Sequence, residues 1–203
     1  MRRTAQSERE PGAPRVAPVR ERILAAADEL FYAEGIRAVS ADRLIAEASV
    51  SKVTFYRHFP AKDELVLAYV EGRAAIERQV LERFRAEAGD ACDTLVAIAR
   101  GIAGMSCAPG FRGCPFINAA AEFADTGHPV RLAVAAHRAW FAAYVRELLD
   151  ELGIADTATV VDQLIMLRDG AMLSGYIGLD PRSRAETIVA AGRAVVEAAR
   201  SGA

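Results

Sequence analysis

The chain has 203 residues, of which 52% are hydrophobic and 26% charged, and its formal net charge is −2. This length is typical of one large domain or two small ones, and the apolar content is sufficient for a sizeable core. Because no apolar run reaches the roughly 18 residues of a membrane span, and no apolar stretch follows the first two arginines, the composition argues against a membrane protein and a secretory signal.

Charge is distributed unevenly along the chain. Residues 1–62 contain eleven lysines and arginines against eight acidic residues, whereas residues 63–203 contain fourteen against nineteen. A basic N-terminal third on an acidic body indicates an anionic partner for that third. The three cysteines, Cys92, Cys107 and Cys114, are an odd number without metal-ligand spacing, so we expect no disulfide framework, no metal and a cytoplasmic location.

The N-terminal segment is rich in proline, glycine, serine, arginine and glutamate and shows no apolar period. We predict that residues 1–18 form a disordered basic arm. Apolar residues at helical spacing then predict a helix that ends at Gly35. Two short helices should follow, Ser40–Ala48 and Ser51–His58, each with its serine as N-cap and with Pro60 ending the second.

The rest of the chain also has helical periodicity. Loops that contain glycine or proline separate the segments, and no alternating strand pattern or internal repeat occurs. The sequence therefore predicts an all-α protein of about nine helices. After the first three, the predicted helices cover about residues 62–88, 91–106, 115–124, 129–152, 157–178 and 182–200.

The stretch VSKVTFYRHF, Val50–Phe59, covers the second of the two short helices. Two short helices joined by a tight turn match a helix-turn-helix, whose second helix enters the major groove of DNA. Val50, Phe55 and Phe59 can pack inward and hold this helix in place. The stretch is therefore a candidate DNA-reading helix.

The side chains left on the outside of this helix suit DNA. Lys52 and Arg57 can reach base edges, and Val53 offers apolar contact to a thymine methyl group. Phosphate oxygens are suitable partners for three further side chains, Thr54, Tyr56 and His58.

Two segments, RERILAAADELFYAEG (Arg20–Gly35) and SADRLIAEASVSKVTFYRHFPAKDEL (Ser40–Leu65), resemble the DNA-binding domain of the TetR-like transcriptional repressors. A looser resemblance covers RGCPFINAAAEF (Arg112–Phe123) and DQLIMLRDGAML (Asp162–Leu173). Ser49 stands where the family usually has a glycine, so the turn must either avoid a positive φ or hold it in a serine.

The resemblance implies a helix-turn-helix DNA-binding domain over residues 19–62 and a helical effector-binding and dimerisation domain over residues 63–203. The protein would be a repressor that binds a palindromic double-stranded DNA operator as a homodimer, through its last two helices, and is released by a small molecule. Bases would be contacted by Lys52, Val53 and Arg57, and phosphates by Ser40, Thr54, Tyr56, His58 and Lys62, with Ser51 in the same DNA-binding set.

The dimer would use a face of the helix predicted at 157–178. Gly170, Ser174 and Gly178 lie four residues apart on it, so another helix could approach closely there. Small residues at this spacing also occur in ordinary internal packing. The need of a palindromic operator for two copies favours the dimer.

A candidate effector pocket lies in the C-terminal part. Polar side chains recur every four residues on the apolar segment from Cys114 to Glu122, where they can orient a ligand, and aromatic side chains such as Phe141 on a later helix could form its walls. The alternative is that these polar groups only bond neighbouring helices. The candidate ligand-binding residues are Cys114, Asn118, Glu122, Trp140, Tyr144, Met166 and Asp169.

Other functions remain open at this point. One is a small-molecule-binding helical protein or an enzyme whose helix-turn-helix is not used, and another is a DNA-compacting protein without an effector. A third is a redox or metal switch at Cys107 and Cys114, with His128 or His137 as further members, although cysteine is commonly a small buried apolar residue. Because no nucleophile motif is present, we expect neither catalysis nor a cofactor.

Overall fold

The computed structural model describes residues 17–178 and 184–201, so residues 1–16 of the predicted arm lie outside the described residues. The described residues form nine α-helices and no strand, which confirms the all-α fold, and each helix ends within two residues of its predicted bounds. The helices are α1 (Val19–Glu34), α2 (Ala41–Glu47), α3 (Lys52–His58), α4 (Lys62–Glu87), α5 (Ala91–Ser106), α6 (Pro115–Glu122), α7 (Pro129–Glu151), α8 (Thr157–Ile177) and α9 (Arg184–Ser201). Over the ranges that the structure describes, no helix combines the length and the apolar content that crossing a membrane requires.

Serine side chains cap the two short helices, as predicted. The Ser40 hydroxyl accepts a hydrogen bond from the backbone N–H of Arg43 at 3.2 Å, and the Ser51 hydroxyl accepts one from that of Thr54 at 3.1 Å. Each cap satisfies one of the N–H groups that a helix start leaves without a partner. The residues at which α2 and α3 begin are therefore determined by local sequence.

An apolar core joins α1, α2 and α3 to the first turns of α4. Ile23, Leu44, Phe55 and Leu65 are each at most 1% exposed, and Phe59 is 3% exposed. Burying a side chain of this size contributes about 1.5–3 kcal/mol. Phe55 and Phe59 therefore anchor α3 from its inner face.

The remaining helices pack into a bundle of α5, α7, α8 and α9, which α4 joins from the first core. Two glycines permit close approach: a Cβ at Gly101 would lie 2.9 Å from the ring of Phe84, and one at Gly175 would lie 2.6 Å from Cβ of Ser106. A Cβ at Gly170 would meet nothing within 4 Å. The small-residue face predicted on α8 is therefore open on its own chain.

Candidate functional site

The outer face of α3 is exposed as the sequence analysis expected. Lys52 and Arg57 are exposed, while Val53 is 78% and Tyr56 40% exposed. The ring of Tyr56 meets the buried ring of Phe55 edge-on, with centroids 5.4 Å apart, which orients the tyrosine. An exposed valine gains nothing from water, so its position on a polar face suits contact with an apolar group such as a thymine methyl.

The polar residues of this face are partly engaged with one another. The Ser51 hydroxyl donates to the Thr54 hydroxyl at 2.9 Å, and Nζ of Lys52 lies 3.5 Å from Oδ1 of Asp42. Both members of that ion pair are exposed, and exposed pairs contribute little stability. Lys52 can therefore exchange Asp42 for DNA at small cost. His58 is half-buried at the end of the helix.

The structure gives Lys62 a role that differs from the expected phosphate contact. Its ammonium donates to the backbone carbonyls of Ile36 and Val39, at 2.6 and 2.5 Å, in the loop between α1 and α2. Burial lowers the pKa of Lys62, and the nearby carboxylates of Glu122 and Asp63 oppose that effect. Because two of its three protons are used inside the protein, Lys62 holds the loop first and has one N–H left for DNA.

The turn between α2 and α3 contains the strained residue. Ser49 has φ 51°, which lies in the left-handed region that residues other than glycine, asparagine and aspartate rarely adopt. Of the two possibilities that the sequence left open, the turn takes the second and holds a positive φ in a serine. The adjacent N–H of Val50 donates to the carbonyl of Ile45 at 3.2 Å and closes the turn.

The end of α6 is hydrogen-bonded to the loop between α1 and α2. The Glu122 carboxylate accepts hydrogen bonds from the backbone N–H groups of Ile36, at 2.7 Å, and Arg37, at 2.6 Å. We call Glu122 with these two N–H groups the α6 clamp. Bonds from an N–H to a carboxylate are stronger than neutral ones. The clamp therefore fixes the same loop that Lys62 holds from the other side.

Two more contacts join the same parts of the molecule. The Tyr32 hydroxyl donates to the carbonyl of Gly113 at 2.9 Å and accepts from the N–H of Arg112 at 3.0 Å. At the start of α7, Nε2 of His128 lies 3.3 Å from Oδ2 of Asp63 in the first turn of α4. The segment from Arg112 to His128 thus connects the bundle to α1 and the start of α4, and we call it the connector. None of these long-range partners was identified from the sequence.

An apolar cavity of about 220 Å³ lies between α5, α7, α8 and α9. Apolar side chains such as Ile102, Phe141 and Leu164 form most of its wall. Arg168, 6% exposed, is a charged residue at its inner side, and the exposed side chains Arg193, Glu197 and Arg200 of α9 also line it. We call it the bundle cavity. A mostly apolar cavity with few polar groups is typical of a small-molecule site.

The candidate ligand-binding residues do not surround this cavity, and the structure does not bring them together at one place. Their polar groups are bonded within the protein instead: Asn118 donates to the carbonyl of Arg112, and the Tyr144 hydroxyl donates to that of Leu81. Met166 is 72% exposed on α8. A spacing of four residues does not show what a helix face contacts. In this structure the set has the following places: Cys114 is buried at the start of α6, Asn118 and Glu122 border a second cleft, Trp140 lies under Arg78, Tyr144 is buried, Met166 points outward, and Asp169 pairs with Arg138 and Arg168.

A buried cluster of charged residues lies beside the bundle cavity. Arg168 donates to Glu77 at 3.2 Å and to Asp169 at 3.1 Å, and Nε2 of His137 lies 3.3 Å from Glu77 at a poor hydrogen-bond angle. Burial alone would raise the pKa of Glu77, but the contact with His137 and the charge of Arg168 outweigh it, so this pKa lies below its usual value. The cluster ties α4, α7 and α8 together.

The cysteines occupy different environments. Cys114 is 2% exposed with its Sγ 3.8 Å from a nitrogen of Arg168, Cys107 is exposed, and Cys92 is half-buried at the wall of the bundle cavity. Cys92 and Cys114 are free thiols.

Comparison with known proteins identifies the family of this chain. Residues 23–69 match the family described as bacterial regulatory proteins, tetR family, and residues 91–176 match the tetracyclin repressor-like C-terminal domain. The structure of SCO4454, a TetR-family transcriptional regulator from Streptomyces coelicolor, is similar, with 42% sequence identity, a TM-score of 0.85, and coverage of 89% of this chain and 95% of that chain.

Two further similarities extend the comparison. The HTH-type transcriptional regulator LmrA from Bacillus subtilis (strain 168) is 28% identical over 162 residues, which is 76% of this chain and 85% of the relative. At 18% identity, the fold alone is shared with a cysteine mutant of the TetR-family regulator CifR, solved with 26bp double-strand operator DNA, at a TM-score of 0.75 and coverage of 90% of this chain and 99% of that chain. Regulators of this family are generally not enzymes. With its helix-turn-helix and its helical C-terminal domain, the chain belongs to the TetR family and is a DNA-binding transcriptional regulator.

Proposed function

We propose that this protein is a repressor without catalytic activity. It binds a palindromic operator in the cytoplasm as a homodimer and is released by a small molecule. The observation that carries the DNA-binding part is α3, whose outer face exposes Val53, Tyr56 and Arg57 while Phe55 anchors the helix from below. Rigid placement of a reading helix is what base recognition requires.

The contacts with DNA divide into two kinds. Lys52, Val53 and Arg57 face the bases, where Arg57 can donate two hydrogen bonds to a guanine. The phosphate contacts position the helix without specifying sequence, and they come from Ser40, Ser51, Thr54, Tyr56, His58 and the remaining N–H of Lys62.

The protein has two functional domains, and the boundary between them lies near Lys62. Residues 19–62 form the DNA-binding domain and residues 63–203 the effector-binding and dimerisation domain. The first turns of α4 serve both, because Leu65 and Tyr69 are buried against the first core while the rest of α4 packs on α7.

The second copy docks on α8 and α9. Met166, Leu173 and Ile177 are 72%, 58% and 68% exposed on α8, beside the open small-residue face at Gly170. Apolar side chains that extend this far along one helix are unfavourable in water and are typical of an interface. A two-fold dimer built on this face presents two copies of α3 to a palindrome.

The effector occupies the bundle cavity and is largely apolar. Its wall matches an apolar body, and Arg168 at the inner side can donate to an acceptor group on the ligand. The effector releases DNA if it binds the dimer better in the spacing that does not fit the operator, because a ligand shifts an equilibrium only by its differential affinity. The connector with the α6 clamp transmits the change from the bundle to the loop beside α2.

Selection of genomic DNA fragments by the purified protein, followed by sequencing, tests the DNA-binding proposal. We expect recovery of palindromic sites, with an affinity that falls steeply with salt because Lys52, Arg57 and other cations release counterions from phosphates. Fragments without a shared palindrome, or an affinity independent of salt, would refute it.

A compound screen by thermal shift tests the effector site. Ala99, which lines the bundle cavity, is replaced by Phe to fill it, and Ala75, which is exposed on α4, is replaced by Phe as the matched control. Hits should stabilise the wild type and Ala75→Phe but not Ala99→Phe. Hits that stabilise all three equally bind elsewhere.

A further inference from the structure

A second cleft, separate from the bundle cavity, lies where the DNA-binding part meets the connector. Its volume is about 210 Å³. One wall comes from α1 and α4 and includes Phe31, Tyr32 and Tyr69, and the other comes from the connector and the end of α8. We call it the junction cleft. The proposed effector function does not involve it.

The junction cleft contains a polar group that lacks a partner. Tyr69 lines the cleft and is 5% exposed as a residue, but its hydroxyl is not among the fully buried unpartnered atoms and no hydrogen bond within the described residues engages it. Burial raises the pKa of Tyr69 to about 12, so the phenol is neutral and carries a proton to donate. A phenol at the wall of a cleft is available to donate to a molecule that enters it.

The opposite wall offers acceptors. Asn118 uses its amide N–H for the carbonyl of Arg112, at 2.7 Å, and keeps its Oδ1 free. The oxygens of Glu122 each accept one backbone N–H and retain a further lone pair. A molecule in the cleft therefore meets one donor on the α4 side and acceptors on the α6 side.

The aromatic walls set the remaining chemistry. Arg73 lies over the rings of Tyr32 and Tyr69, at 5.1 and 5.8 Å, and Arg112 lies over the ring of Tyr176, at 5.7 Å. A second cation beside these rings would meet the charges of Arg73 and Arg112, and both oxygens of Glu122 on the other wall are already bonded to backbone N–H groups. A neutral ring is compatible with both walls.

We propose that the junction cleft is a second ligand site, which takes a neutral, ring-sized molecule carrying hydroxyl groups, such as a phenol. A ligand hydroxyl accepts from the Tyr69 hydroxyl and donates to Asn118 Oδ1 or to Glu122. Because such a ligand contacts both parts of the molecule at once, it stabilises the arrangement in which the α6 clamp is closed.

Phenol and benzene-1,2-diol are suitable probes, with toluene as the probe that lacks a hydroxyl. Amide chemical shifts of the isotopically labelled full-length protein are followed by NMR while each probe is titrated to millimolar concentration. Dissociation constants on the order of 1 mM are measurable in this range. We expect the hydroxylated probes to move the amide signals of residues 112–122 and of Ile36 and Arg37, and toluene to leave these signals in place.

Two tyrosine variants separate binding from stability. Tyr69→Phe should weaken binding of the hydroxylated probes by about fivefold, the effect of one hydrogen bond, while its Tm is unchanged or higher. Tyr144→Phe loses a bond to Leu81 and should have a lower Tm with unchanged probe binding. Asn118→Ala, at an exposed position, gives a second independent measure of weakened binding.

Three results would overturn the proposal. They are an absence of shifts at residues 112–122, shifts confined to amides around the bundle cavity, and equal binding of the probes to wild type, Tyr69→Phe and Asn118→Ala. Since DNA is absent from the experiment, its outcome does not depend on the proposed repressor function.

Discussion

Ser49 shows how a single residue stores strain in the reading motif. Its φ of 51° places an L-residue in the left-handed region, which costs roughly 1–2 kcal/mol where glycine is free of the steric clash. The strain persists because the neighbouring caps and the buried Phe55 fix α2 and α3 on both sides of the turn.

Ser49→Gly should raise the free energy of unfolding by about 0.5–1 kcal/mol, since the gain in conformational freedom of the unfolded chain offsets part of the relieved strain. Ala46→Gly, on the exposed side of α2, is the control and should lower it by about 1 kcal/mol. Urea unfolding measures both. A destabilised Ser49→Gly would show that the serine side chain contributes more than its φ costs.

Residues with local partners were predictable from the sequence, and those with distant partners were not. Ser40 and Ser51 cap helices through N–H groups three residues away, so their roles follow from short-range pattern. Lys62 bonds carbonyls 26 and 23 residues away, and Glu122 bonds N–H groups 86 and 85 residues away. Short-range sequence patterns do not show which distant loop faces such a side chain. The phosphate and ligand roles expected for Lys62 and Glu122 therefore did not include these bonds.

At the scale of elements, α6 acts as the connection between bundle and reading motif. It is short, and its last residue makes the α6 clamp. Periodicity predicted all nine described helices because each buries an apolar face, but the position of the cavity depends on how four helices meet, which periodicity does not specify.

Glu122→Gln should loosen the loop between α1 and α2. The amide retains one acceptor, loses the charge and turns an N–H₂ group toward a backbone N–H. Bonds to a charged group contribute about 1.5–3 kcal/mol, so hydrogen exchange at Ile36 and Arg37 should accelerate by about tenfold or more.

Asp125→Asn is the matched control, because the carboxylate of Asp125 accepts from the nearby N–H of Gly127. It should leave exchange at Ile36 and Arg37 unchanged. If Glu122→Gln also leaves it unchanged, the clamp does not hold the loop in solution.

The buried pair of Glu77 and Arg168 gives the molecule a pH-dependent contribution to stability. The folded-state pKa of Glu77 lies below its ordinary value of 4.5, so its contribution is present above that value and is lost as the pH falls through the lower folded pKa. Glu77→Gln should therefore be clearly less stable than wild type at pH 7, and the difference should shrink on acidification below about 4.5. Thermal unfolding of both proteins across this pH range measures the difference. A stability difference independent of pH would show that ionisation of Glu77 does not contribute to stability.

At the scale of the whole molecule, the proposed dimer rests on the exposed apolar residues of α8. Leu173→Glu should convert the dimer to monomers, because a charge in an apolar interface is left without its water. Leu132→Glu is the matched control on α7, since Leu132 is 56% exposed and Leu173 is 58% exposed. Sedimentation equilibrium should show a dimer for the control and a monomer for Leu173→Glu. If both variants remain dimers, the interface lies elsewhere.

We propose that α3 reads a palindromic operator through Arg57. The decisive measurement is the affinity of Arg57 and Tyr56 variants for versions of the selected operator that differ by single base pairs. Arg57→Ala should lose about 1–3 kcal/mol and its preference at one base pair, repeated at the symmetric position of both half-sites. Tyr56→Phe should weaken binding to every sequence alike, because a phosphate contact carries no sequence information. An Arg57→Ala protein that keeps the full base preference of the wild type would contradict this assignment of the reading helix.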